Sequence, residues 1–225
     1  MEGNLRERIL ADCRDAVGEV RFGFASKRQV WAFEERHQID VCALVVELAG
    51  ADARAFLQLA LDFHAEFAAV SNAWRVRDRI QELVAELCSR GTPEFLEGVS
   101  QALVDERLTV RHWLVGAFAS AAPAPTVFNG LEQALALAYQ PSDQWALLGR
   151  LSAVADGDHR MFGAEVCAVL ASLAQLSAAP EQREQALELL AQHAGPAASA
   201  VLARAARGDT DPAVRARAAE LLRSG

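Results

Sequence analysis

The most informative segment of the sequence for the fold lies near residue 215 and reads Asp209-Thr210-Asp211-Pro212-Ala213-Val214-Arg215-Ala216-Arg217-Ala218-Ala219-Glu220-Leu221-Leu222. Asp211 directly before Pro212 is typical of a helix start, because aspartate caps free N–H groups and proline suits the first helical position. Apolar residues then follow at positions 214, 218, 221 and 222, which lie on one side of an α-helix. The stretch therefore predicts an amphipathic helix with one buried face.

The same apolar stripe recurs along the chain. Successive copies begin 35, 34, 37, 36 and 31 residues apart, which is the period of a repeat built from two helices. Three copies open with the same Val-Arg dipeptide, and the copy that begins at Arg183 is the weakest. The first positions of the copies are Val41, Val76, Val110, Leu147, Arg183 and Val214.

A second helical segment separates successive copies, at residues 93–104, 127–139, 163–176 and 196–207. Glycines fall at the predicted helix ends and prolines at the predicted starts. We therefore expect an all-α chain of about six helix pairs, arranged as a right-handed α-α superhelix in a single domain over residues 1–225. Residues 1–38 are expected to form capping helices, residues 39–225 the helix pairs, and residues 119–126 the longest loop.

The C-terminal stretch resembles the second half of a HEAT repeat of the bacterial, phycobilin-lyase-like type. The segment from Asp105 to Phe118 is a looser match, and the other copies keep only the apolar stripe. Tetratricopeptide repeats share the period but not the other signature residues, and they rank second. The resemblance implies a ladder between neighbouring units, with structural roles for Arg77, Asp105, Arg111, Asp209 and Arg215.

Composition and charge narrow the class of protein. Hydrophobic residues make up 52% of the chain, which is ample for a buried core, and the formal net charge is −8. An acidic chain does not supply the general attraction to phosphate on which nucleic-acid binders rely. The polar start and the absence of an unbroken apolar segment argue against secretion and membrane insertion. A cytoplasmic, monomeric protein is expected.

The four cysteines and five histidines indicate no chemical site. The cysteines lie far apart, without the spacing of metal ligands. We interpret them as reduced thiols in the core. The histidines are scattered, and no catalytic, phosphate-binding or metal-binding motif is present. We therefore expect neither catalysis nor a cofactor or metal.

The apolar stripes leave the opposite side of each helix available for a partner. Positions three and six residues after each first member are expected nearer the exposed side, where aromatic, acidic and arginine side chains could bind a basic protein. The alternative is that these residues form ordinary surface pairs and that Trp113 packs on a neighbouring helix. The predicted concave, partly acidic face comprises Glu47, Arg79, Glu82, His112, Trp113, Arg150, Arg217 and Glu220.

These features favour a protein-binding scaffold or adaptor. An inhibitor of the immunity type that masks a basic toxin, and an assembly or cofactor-attachment helper of the lyase-like branch, are alternatives. DNA glycosylases occur in one HEAT-like family, but they need a basic groove that this sequence does not show. The cluster of Phe22, Phe24, Trp31 and Phe33 is expected to be either part of the cap or a dimer interface.

Overall fold

The computed structural model describes residues 2–19, 27–67, 73–158 and 160–224. Those residues form helices joined by connections, with no β-strand beyond an isolated bridge between Val104 and Val110. The all-α prediction is confirmed. The helices are α1 (Glu2–Glu19), α2 (Lys27–Ala51), α3 (Ala53–Phe67), α4 (Trp74–Arg90), α5 (Pro93–Gln101), α6 (His112–Ala121), α7 (Ala124–Leu137), α8 (Pro141–Asp158), α9 (Ala164–Leu176), α10 (Pro180–His193), α11 (Ala198–Gly208) and α12 (Pro212–Ser224).

The chain divides into two compact units. The first comprises residues 1–99 and 116–122, and the second comprises residues 100–115 and 123–225, so the division passes through α6. The boundary expected after residue 38 falls inside α2, which is continuous from Lys27 to Ala51. The aromatic cluster proposed for the N-terminal region lies outside the described residues and side chains. The right-handed superhelix stays a prediction.

The repeated apolar stripe supplies the core of each unit. Most of its members lose nearly all contact with solvent, as the hydrophobic effect requires of a helix packed on its neighbours. The last copy is the exception, because Leu222 keeps 37% of its surface exposed. The stripe residues that are buried most completely include Val41, Val45, Leu48, Val76, Ile80, Val84, Leu114, Phe118, Leu147, Leu151, Val214 and Ala218.

Capping interactions stabilise two of the predicted helix boundaries, the start of α12 and the end of α4. Asp211 accepts a hydrogen bond from the Ala213 N–H at 2.8 Å, directly at the start of α12. Gly91 ends α4 in the left-handed region, with φ 71°, and its N–H donates to the Cys88 carbonyl at 3.1 Å. Glycine adopts this conformation without the steric cost that a side chain would add.

The expectation of a long loop at residues 119–126 was wrong. α6 ends at Ala121 and α7 begins at Ala124, so two residues separate the helices. Pro125 lies in the first turn of α7, where its missing N–H would have had no helical partner. The longest connection between helices in the described parts of the chain is instead residues 102–111, where α5 stops earlier than expected.

The expected exposure of positions three and six residues into each stripe is also wrong in the copy that begins at Arg183. Ala186 and Leu189 are both buried. The reason is that α10 contacts α9, α11 and α12, so little of its circumference is left to solvent. Arg183, which occupies the first stripe position, is buried too.

Candidate functional site

The arginines of the Val-Arg dipeptides all donate to backbone carbonyls upstream of their own helix. Arg111 reaches the carbonyls of Ala102 and Val104, at 2.7 and 3.0 Å, and its N–H donates to the Leu103 carbonyl at 2.8 Å. Desolvation lowers the pKa of Arg111. Arg215 reaches the carbonyls of Asp209 and Thr210, at 2.7 and 3.1 Å, and Arg77 reaches that of Phe67 at 3.3 Å. The Arg111 and Arg215 guanidinium groups thus tie the starts of α6 and α12 to the connections before them, and Arg77 ties α4 to the last residue of α3.

The two turn aspartates make different contacts. Asp105 accepts hydrogen bonds within its own loop, from the Arg107 N–H at 2.8 Å and from the Arg107 guanidinium at 2.7 Å. Asp209 instead pairs with Arg183 of α10 through two parallel hydrogen bonds of 2.8 and 3.0 Å, and both side chains are buried. The hydrogen bond to Arg183 is the main reason that the pKa of Asp209 lies below its ordinary value. Only Asp209 therefore links neighbouring helix pairs.

Part of the predicted face lies in the first unit, on α2 and α4, which pack against each other. Glu47 and Glu82 are exposed, and Arg79 is partly exposed. Arg79 pairs with Glu82 at 2.8 Å on the same helix, whereas Glu47 has no ion pair within the described part of the chain. The acidic character of this region therefore comes from α2 more than from α4.

The outward side of α2 carries an apolar stripe that sequence reasoning missed. Ile39 and Val46 are 54% and 41% exposed, and Ala43 between them is exposed as well. Asp40 and Glu47 flank the stripe, and neither has an ion pair among the described residues. We call these five residues the α2 outer face. The spacing of 39, 43 and 46 was visible in the sequence, but α2 carries apolar residues on two sides and nothing local shows which side is covered.

The start of α4 extends this surface with an exposed indole. Trp74 is 51% exposed, and the Arg75 guanidinium carbon lies 5.1 Å from the centre of its ring. The backbone N–H of Arg75 donates to the Gln38 side-chain oxygen at 3.1 Å. This hydrogen bond fixes the start of α4 beside α2, close to Ile39. Asp78, one turn further along α4, is exposed and has no ion pair in the described regions. Trp74 was not among the predicted site residues.

The remaining predicted face residues lie in the second unit. His112 Nε2 is 3.0 Å from Asp143 Oδ1, and the other carboxylate oxygen accepts the Val110 N–H at 3.1 Å. Trp113 is partly buried and Arg150 is exposed. The arrangement at His112 fastens the end of the 102–111 loop to the start of α8.

The last two members of the face belong to a small ion network. Arg217 of α12 pairs with Glu188 of α10 at 2.7 Å and with Glu220 of its own helix at 2.6 Å. The hydrogen bond to Glu220 is the first cause, and that to Glu188 the second, of a raised Arg217 pKa. These charges are satisfied within the protein, which leaves them less attractive to a partner than the charges of the α2 outer face.

Burial keeps two cysteine thiols and one histidine in their neutral forms at neutral pH. Burial raises the pKa of Cys13 to about 12 and that of Cys88 to about 11, so both thiols are protonated at neutral pH. Burial also lowers the pKa of His64 to about 4. Over the described ranges, no group of three or more His, Cys, Asp or Glu side chains is arranged to hold a metal ion. No helix in those ranges is both long and apolar enough to cross a bilayer.

The resemblance to HEAT repeats rests on the residues quoted above and on the helix pairs. Comparison of the chain with protein family models, with curated proteins and with solved structures found no match. The family therefore stays a prediction.

Proposed function

We propose that the chain is a non-catalytic, HEAT-like protein-binding module, a scaffold or adaptor, that binds a basic protein through the α2 outer face. We further propose that it acts in the cytoplasm as a monomer. The single observation that carries the binding proposal is the pairing of exposed apolar residues with two exposed carboxylates that have no ion pair among the described residues. The net charge of −8 supports it, because opposite charge speeds the encounter with a basic partner.

The carboxylates of the α2 outer face differ from others in the first unit. Asp62 pairs with Arg6, and Glu66 pairs with Arg14 at 2.6 Å. Asp40 and Glu47 face solvent without such partners in the described part of the chain, and α2 contains no Lys or Arg after Arg36. Their charges are therefore available to a cation supplied from outside.

The apolar component makes this face more than a charged surface. Side chains such as Ile39 and Val46 gain about 25 cal/mol for each Å² removed from water, and the core of an interface supplies this burial while charged groups form its rim. The α2 outer face has this arrangement, with Ile39, Ala43 and Val46 in a line and Asp40 and Glu47 beside them. A basic protein with an apolar centre to its binding surface would satisfy both parts.

The proposal is tested with the double charge reversal Asp40→Lys/Glu47→Lys. The matched control is Glu7→Lys/Glu181→Lys, which changes the net charge equally at two other exposed carboxylates. With fluorescent oligolysine as the probe, at low ionic strength, we expect the first variant to lose about tenfold in affinity and the control no more than about twofold, because exposed ion pairs contribute up to about 1 kcal/mol each.

Added salt should weaken binding by the wild-type protein, because screening shortens the range of these attractions. Equal losses in the two double variants would mean that net charge alone drives binding, and the α2 outer face would then not be the site.

A further inference from the structure

We infer that the element docking on the α2 outer face is a basic amphipathic α-helix, which lies along α2 with its apolar side on Ile39, Ala43 and Val46. This inference rests on the proposed function and adds the form of the partner to it. Three features of the α2 outer face favour a helix: the spacing of its apolar residues, the positions of its charges, and a backbone whose hydrogen bonds are satisfied within α2.

The apolar residues of the face follow the spacing of a helix–helix contact. Positions 39, 43 and 46 lie on one side of α2 over two turns, which is about 10 Å along the axis. Ala43 is smaller than Ile39 and Val46 on either side of it, and helices pack by placing the side chains of one between those of the other. Gly50, one turn further on, is exposed and has nothing within 4 Å of the place where its Cβ would be. A partner helix can therefore continue along the same line.

The negative charges of the α2 outer face favour a positively charged partner. Asp40 and Glu47 are seven residues apart, so they lie on the same side of α2, two turns from each other. Lysines or arginines at a similar spacing on a second helix could reach both carboxylates. An acidic helix, a nucleic acid or an anionic membrane surface would be repelled by the same pair.

The backbone of this surface offers nothing to an extended peptide. Peptides that bind as strands take their main-chain hydrogen bonds from an exposed sheet edge, and α2 satisfies its own backbone within the helix. Binding to this face must therefore come from side chains. The mode that fits a straight apolar line with flanking charges is a helix laid on a helix.

The test compares two synthetic peptides of about 18 residues, which is longer than the roughly 12–15 residues below which isolated helices are marginal in water. In the first, leucines at helical spacing form one stripe and lysines occupy the other sides. The second has the same composition in scrambled order, so that no stripe forms. We expect the striped peptide to bind at least about tenfold more tightly and to gain helicity on binding, measured by anisotropy and circular dichroism.

Variants of the protein locate the contact. Ile39→Ser/Val46→Ser should weaken binding of the striped peptide by about tenfold and leave binding of oligolysine within about twofold. The matched control is Leu137→Ser, at a leucine that is 54% exposed in the second unit, and it should change neither. The thermal midpoint of each variant shows that it is folded.

The outcomes separate this inference from the proposed function. If oligolysine binding depends on Asp40 and Glu47 but the two designed peptides bind equally, the proposal of a basic partner is retained and the proposal that it binds as a helix is rejected. The proposal that the partner binds as a helix is also rejected if Ile39→Ser/Val46→Ser binds the striped peptide as tightly as the wild-type protein does. If no basic peptide depends on Asp40 and Glu47, the proposed function falls and the inference falls with it.

Discussion

The α2 outer face and the α10–α12 pair use charge in opposite ways. In the pair, Arg183 and Asp209 are buried together, and Arg217 is held between Glu188 and Glu220. On the α2 outer face, Asp40 and Glu47 are exposed beside exposed apolar residues and lack counterions among the described residues. The ion pairs of Arg183 and Arg217 fix neighbouring helices against each other. Asp40 and Glu47 form no ion pair among the described residues that would stabilise the fold.

The contrast shows that exposure and pairing must be considered together. A buried ion pair costs free energy to desolvate but is strongly destabilising to break, because the remaining charge is then alone. An exposed pair contributes little in either direction. An exposed carboxylate beside exposed apolar side chains stabilises nothing internally, and such patches on proteins are commonly binding surfaces. Three measurements test the difference between these two regions.

Removing one partner of the buried pair should have the largest effect. Asp209→Ala leaves the Arg183 guanidinium buried with only the backbone carbonyls of Ser177 and Ala178 as acceptors, at 2.9 and 3.3 Å. We expect a loss of about 3 kcal/mol in the free energy of unfolding, measured by denaturant titration. The control Glu220→Ala, at an exposed partner of Arg217, should cost less than about 1 kcal/mol. Similar losses in the two variants would contradict the distinction between buried and exposed pairs.

Acid should remove the contribution of the same pair. Because the pKa of Asp209 is lower in the folded protein than its ordinary value of about 3.9, the folded state favours the ionised carboxylate. The stabilisation is therefore complete above that ordinary value and is lost as pH falls through the folded pKa. The difference in thermal midpoint between the wild-type protein and Asp209→Asn should stay constant from about pH 7 to about pH 5 and shrink as pH falls below about 4.

Taking the difference between the two proteins cancels the titration of other carboxylates whose pKa values are also lowered, such as Asp105 and Glu66. A difference that stays constant down to pH 3 would show that the carboxylate does not stabilise the fold through its charge.

The smallest effect on stability is expected on the α2 outer face. Val45 and Val46 are neighbours on one helix, 0% and 41% exposed. Val45→Ala should cost about 2 kcal/mol through lost burial and the cavity left behind. Val46→Ala should stay within about 0.5 kcal/mol, because alanine is the better helix former and little burial is lost. A large loss at Val46 would mean that the face is part of the core and not a free surface.

Much of the fold could be predicted because its signals are local. The 3.6-residue period of the stripes, the aspartate cap before Pro212 and the glycine at position 91 each act within one or two helical turns. The error at residues 119–126 has a local cause as well, since proline ends a helix in its interior but suits its first turn. The 102–111 loop was predicted too short, because the apolar residues up to Val104 fit the helix expected over residues 93–104. Only the bridge between Val104 and Val110 and the hydrogen bonds of Arg111 show where the chain turns back.

The candidate site was predicted less completely. Glu47 and Glu82 are exposed acids at the predicted positions, and Arg79 is partly exposed. Ile39, Val46 and Trp74 were missed because an apolar residue on a helix is expected to be buried, and α2 has such residues on two sides. The pattern predicted that Leu189 faces solvent. It is buried instead, because α10 has neighbours on several sides.

The sequence alone was sufficient to predict the all-α class, the positions of most helices and the apolar stripe that most of them bury, because periodicity and caps act over a few residues. The packing of the helices brings Arg183, in an apolar position, to Asp209 across 26 residues of chain. It also leaves the second apolar side of α2 uncovered. Both depend on which helices become neighbours, and that is a property of the packed chain and not of any single segment.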